Sequence, residues 1–178
     1  MRAVLPAIVS SLILTGAAMA GGSPKAFEKF AGNYDGEGTF KNRLGTGTVN
    51  AKVKSEGSLA MASSPRSAVL SLNGTVEAPN GQKGPMSWKL TFRRKNLCII
   101  DMVYPSGDVA QVTGRYEARK RRITFSGPMR YVMVGGFIRS GTTTGKLRLS
   151  ASKITFVQQD ALSVPLQTIT VRQTLTKD

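Results

Sequence analysis

The chain has 178 residues, with 25 Lys and Arg against 10 Asp and Glu, no histidine, one cysteine and a formal charge of +15. Without histidine the commonest general base and metal ligand are missing, and a lone thiol supports neither an internal disulfide nor a thiolate zinc site. A field of this sign draws in anions such as lipid headgroups, anionic glycans, nucleic acid or acidic proteins.

In chain order, Met1-Arg2 supplies a positive start, Ala3 to Leu14 an apolar stretch, and Gly16-Ala17-Ala18-Met19-Ala20 an A-x-A cleavage pattern. Residues 1–20 are therefore expected to be a signal peptide and 21–178 a single domain, periplasmic or extracellular. The stretch is too short to span a bilayer comfortably. Pro24 to Phe30 suits a short helical turn, with proline at its start and Phe27 and Phe30 on one side.

Strand patterns follow. Tyr34 to Lys41 is extended and glycine-rich. Val49/Ala51/Val53, Ala68/Leu70/Leu72 and Met86/Trp88/Leu90/Phe92 alternate with intervening residues, and Leu97 to Tyr104 is nearly all apolar. Val109 to Ala118, Ile123/Phe125, Met129 to Val134, Leu147/Leu149, Ile154/Phe156 and Ile169/Val171 complete the series. A period of two means one buried and one solvated face. Pro79-Asn80-Gly81, Pro105-Ser106-Gly107-Asp108 and Gly127-Pro128 read as turns. The expectation is an all-β fold: an antiparallel meander β-barrel of about eight to ten strands with a short N-terminal helical turn.

Within that frame, Cys98 reads as a buried, inert thiol. Asp101 interrupts an apolar run, and a buried carboxylate needs a partner, for which Arg93 or Arg94 is the candidate. Asp35 and Glu37, at i and i+2, read as solvated strand residues. Gly114-Arg115-Tyr116…Ile123-Thr124-Phe125 resembles Gly145-Lys146-Leu147…Ile154-Thr155-Phe156, and Gly81 precedes Leu90-Thr91-Phe92 by the same interval. We read this as shared strand grammar, apolar inside and basic outside.

The basic residues concentrate in Arg93-Arg94-Lys95 and Arg119-Lys120-Arg121-Arg122. In a meander these two turns, separated by one other, fall at the same end. That predicts a barrel with one cationic end and the Asp108 turn at the other.

Phe30-Ala31-Gly32-Asn33-Tyr34-Asp35-Gly36-Glu37-Gly38 resembles the opening of lipocalin-like (calycin) barrels. These start with a helical turn and a G-x-W signature, which some relatives extend to G-x-W-x-G-x-G. Gly32, Gly36 and Gly38 match, and Tyr34 stands where the family has tryptophan. Many calycins carry a late arginine over that tryptophan, and Arg172 is the matching candidate. The resemblance implies a closed barrel around a small apolar ligand, with Tyr34, Trp88, Phe92, Phe125 and Phe156 as interior candidates. Haem held through histidine is disfavoured.

The residues picked out for ligand binding are Tyr34, Trp88, Phe92, Arg93, Arg94, Arg119, Lys120, Arg121 and Arg122. The expected function is binding of a small apolar or amphiphilic, anionic ligand. The alternative is attachment to an anionic membrane, glycan or nucleic acid through basic hairpins over a filled core, although no specific nucleic-acid partner is expected. An outer-membrane barrel would need an apolar outer band and aromatic girdles. No catalytic residue, metal or cofactor is expected, and the chain is not expected to be an enzyme.

Overall fold

A computed structural model describes residues 24–61, 67–93, 96–132, 135–163 and 166–178. The expected signal peptide lies outside them, as do Arg94 and Lys95. A 3-10 turn, Pro24–Phe30, leads into β1 (Gly32–Leu44), β2 (Gly47–Met61), β3 (Ala68–Glu77), β4 (Lys83–Phe92), β5 (Leu97–Val103), β6 (Val109–Glu117), β7 (Arg122–Val132), β8 (Ile138–Leu149), β9 (Lys153–Leu162) and β10 (Gln167–Lys177). The ten strands close into one antiparallel barrel in which each strand pairs its sequence neighbours and β1 pairs β10. Closure leaves no edge strand among the described residues.

Alternation dictates which side chains fill the interior. On β4, Met86, Trp88, Leu90 and Phe92 point inward, and on β9 Ile154, Phe156 and Leu162 do so. Each large apolar side chain taken from water contributes roughly 1.5–3 kcal/mol. Charged residues such as Asp35, Glu37, Lys54, Glu56 and Lys89 are exposed on the outer wall. That is the reverse of an outer-membrane barrel, whose apolar residues face out.

Close approach shapes the wall in two places. At the β1–β10 seam, a Cβ on Gly38 would lie 1.9 Å from the Arg172 carbonyl oxygen. Phe125 on β7 is flanked by Gly114 on β6 and Gly145 on β8, its direct cross-strand partners. A Cβ on Gly145 would lie 2.0 Å from the Phe125 ring. The repeated glycine–aromatic pattern is thus partly a packing device around one ring.

Three expectations need correction. Gly127-Pro128 is not a turn but lies inside β7, where Pro128 pairs with Thr142 on β8. The β6–β7 register shifts between Val109 and Gly114, so the ladder is irregular on that side and the missing proline N–H is tolerated. Asp101 is half-buried on the outer face, and among the described residues its hydrogen-bond partner is the Gln111 amide on β6 and not Arg93. Arg172 faces outward from β10. The cation lying against the start of β1 is instead Lys177, whose ammonium donates to the Ala31 carbonyl. Cys98 is fully buried, and burial, reinforced by the nearby Asp101 charge, pushes its thiol up to about 12.

Candidate functional site

Turns alternate between two ends. One end carries the β2–β3, β4–β5, β6–β7 and β8–β9 connections together with the N-terminal 3-10 turn. This end is closed by aromatic packing. Phe27 stacks on Phe92 with ring centroids 4.2 Å apart and meets Tyr116 at 4.5 Å. Phe30 is fully buried, and its carbonyl accepts a hydrogen bond from the Tyr34 hydroxyl, 2.5 Å away.

The two basic turns lie at this closed end, as the meander order predicts, but the barrel does not have one cationic end: Lys41, Arg43 and Arg130 are exposed near the other. Arg93, Arg119, Lys120 and Arg121 are exposed there. Arg122 is half-buried and forms an ion pair with Glu117 at 2.6 Å, while Lys120 reaches the same carboxylate at 2.9 Å. Lys120, Arg121, Arg148 and Lys153 also border a shallow outer depression of about 620 Å³. The aromatic plug separates these cations from the interior. The structure therefore brings Tyr34, Trp88 and Phe92 inside and leaves Arg93, Arg119, Lys120 and Arg121 on the rim; Arg94 lies outside the described residues.

The opposite end, the mouth, carries the β1–β2, β3–β4, β5–β6, β7–β8 and β9–β10 connections. It holds a recess of about 440 Å³ lined by Phe40, Val49, Ala51, Val76, Pro105 and Ser106, with Lys83 among the lining residues. Phe40, Ala51 and Val76 are inward-facing residues of the outermost layer. The β5–β6 turn folds over this layer, bringing Pro105 against Gly84.

A polar chain runs inward from Ser106. Its hydroxyl donates to Asp108 at 2.5 Å, and both residues hydrogen-bond the Tyr131 hydroxyl. The Tyr131 ring lies 4.7 Å from that of Tyr104. The Tyr104 hydroxyl donates to Asp160 at 2.5 Å, and Thr143 donates to the other carboxylate oxygen at 2.6 Å. The Gln158 amide nitrogen donates to Asp160 at 2.8 and 3.0 Å, and its oxygen accepts from the Trp88 indole at 2.8 Å. Mid-barrel, the Ser55 hydroxyl meets Gln173 Oε1, and the buried Gln173 amide nitrogen has no hydrogen-bond partner among the described residues.

These hydrogen bonds to Asp160 all come from neutral groups, so burial dominates its electrostatics. Desolvation raises the Asp160 carboxyl above the usual carboxylate range, and the three donors only partly offset it. Burial and the neighbouring Asp160 charge push the Tyr104 hydroxyl well up. The result is a buried carboxyl and a buried phenol held in one hydrogen-bonded cluster below the mouth.

Charge density along the chain did not reveal this cluster, because its members are scattered over β4, the β5–β6 connection, β7, β8 and β9. One signal was present. Gln158 and Asp160 share the parity of Ile154, Phe156 and Leu162, so they point inward, and Gln173 does so between Val171 and Leu175.

The chain matches no protein-family model, and no curated protein matches it. Solved structures do match. A crystal structure of Rv2717c from M. tuberculosis superposes with a TM-score of 0.59 at 13% identity, covering 86% of this chain and 96% of that one. An S-type phycobiliprotein lyase, CPES, from Guillardia theta superposes with a TM-score of 0.51 at 8% identity, covering 86% and 91%. The ten-stranded closed barrel is thus a fold shared with these two structures. At these identities the likeness concerns the fold.

The expectation that the chain is not an enzyme does not stand. A lyase is built on this same barrel. The physical reason lies in the interior: a barrel can assemble acid and phenol groups from separate strands without any contiguous catalytic motif.

Proposed function

We propose that this chain is exported and binds a small amphiphilic, anionic ligand at the barrel mouth. The observation that carries the reading is the apolar recess set directly over a polar chain leading to Tyr104 and Asp160. Phe40, Ala51, Val76 and Pro105 would take the ligand's apolar body. Lys83 supplies the charge for an anionic group, and Ser106 offers a hydroxyl. The two solved structures support a small-ligand barrel, and the N-terminal A-x-A pattern supports export.

Titration with palmitate, followed by displacement of a fluorescent anionic amphiphile, tests the site. Saturable one-to-one binding is expected, weakened about tenfold or more in Lys83→Glu and lost in Ala51→Phe, which fills the recess. Equal binding by wild type and Ala51→Phe would reject the site. Export is tested separately: the protein from the cell-envelope fraction should begin at Gly21 on N-terminal sequencing.

A further inference from the structure

The five most exposed large apolar side chains are unevenly placed, whereas Leu97, Val109 and Val157, at 38–44%, are scattered over the barrel. Among the described residues, Phe137 is 75% and Leu166 72% exposed, and Leu44, Val49 and Ile138 are about half-exposed. All five sit at the mouth, on the β1–β2, β7–β8 and β9–β10 hairpins. These hairpins are neighbours in the barrel, because the strand order runs β2-β1-β10-β9-β8-β7. They are also tied together: the Gly45 amide donates to the Leu166 carbonyl at 3.4 Å, Gln167 bonds Asn42 at 3.0 Å, and Arg139 bonds Gln167 at 2.8 Å. The apolar tips therefore form one continuous arc of the rim.

The charge around the arc has one sign. Lys41, Arg43 and Arg130 are exposed on the flanks and Arg139 is half-buried. Residues 41–50, 129–141 and 161–168 contain no Asp or Glu. A protein partner would be expected to meet a mixed polar rim. Protruding apolar tips backed by cations match a different surface, an apolar interior beneath a layer of anionic headgroups.

We propose that this arc docks the barrel, mouth first, onto an anionic lipid bilayer, with Phe137, Ile138, Leu166 and Leu44 entering the headgroup–acyl boundary and Arg43, Arg130 and Arg139 held at the phosphates. The basic turns at the closed end face away from the bilayer in this pose. The docking does not depend on the mouth holding a ligand.

The test uses the chain from Gly21 onward, which contains all ten strands and the whole closed barrel. Co-sedimentation is measured with vesicles of phosphatidylcholine alone and with one quarter phosphatidylglycerol. Wild type should bind the anionic vesicles at least tenfold better. Phe137→Ser with Leu166→Ser should lose at least tenfold at unchanged circular dichroism, as should Arg43→Glu with Arg130→Glu. Arg119→Glu with Lys120→Glu, at the closed end, should stay within about threefold. As a folding-independent readout, Phe137→Trp emission should shift blue on anionic vesicles and be quenched by lipids carrying a shallow spin label.

The idea is overturned if the tip variant binds as wild type does, or if the loss follows the Arg119/Lys120 variant. It is also overturned if wild type ignores vesicles and sediments as a dimer that the tip variant breaks, since a second copy would then cover the arc.

Discussion

The closed end and the mouth are made from the same alternating strands, yet they solve opposite problems. At the closed end, Phe27, Phe92 and Tyr116 exclude water by ring packing, and the charges stay outside on Arg93, Arg119, Lys120 and Arg121. Near the mouth, Tyr104, Thr143, Gln158 and Asp160 carry polarity into the interior. Burial is the common cost: offset by packing at one end, and by hydrogen bonds at the other. Ring packing and buried polarity are thus separated along the barrel axis.

The largest expected effect is at the closed end. Phe92→Ala should cost about 3–5 kcal/mol in urea unfolding, because the cavity opens under a stacked ring. At the mid-barrel wall, Gly145→Ala forces a methyl into the Phe125 ring and should cost about 1–3 kcal/mol by the same measurement. Tyr104→Phe removes one donor to Asp160 while keeping the ring, for a loss of about 1 kcal/mol. Lys83→Ala breaks a solvent-exposed pair with Glu77 and should change stability by no more than about 0.5 kcal/mol. A Phe92→Ala cost no larger than that of Tyr104→Phe would erase the contrast between the ends.

The pH response sharpens the contrast further. The folded state holds the Asp160 proton more tightly than the unfolded chain does. Stability from this group is therefore fully present below the ordinary carboxylate range and is lost as pH rises through the raised value. Glu117 acts in the opposite sense, since hydrogen bonds from Lys120 and Arg122 hold its carboxyl low. The difference between wild type and Asp160→Asn isolates the mouth contribution, because Glu117 is common to both. Unfolding midpoints should show wild type losing ground to the variant as pH rises from 3 to 8. A pH-independent difference would contradict the assignment.

Much of the barrel was legible in the sequence. Period-two alternation marked the strands, and the count of turns put both basic hairpins at one end. Pro128 was misread because a strand proline looks like a turn unless the register break opposite it is known. Cluster members were missed for a related reason. Asp160 and Gln158 matter through partners on other strands, which no local window contains, and only their phase with Phe156 and Leu162 pointed inward. The arginine runs drew attention by density along the chain, whereas the barrel sorts residues by face and by end.

The β1–β10 seam has a consequence in time. Tyr34 pairs with Lys177 and Leu44 with Gln167, so the first strand finds its second neighbour only when the last has emerged. During synthesis the meander can grow hairpin by hairpin, but the cylinder cannot close until β10 leaves the ribosome. Ring closure is then the step that commits the chain, and an incomplete chain carries a sticky β1 edge instead of a finished wall.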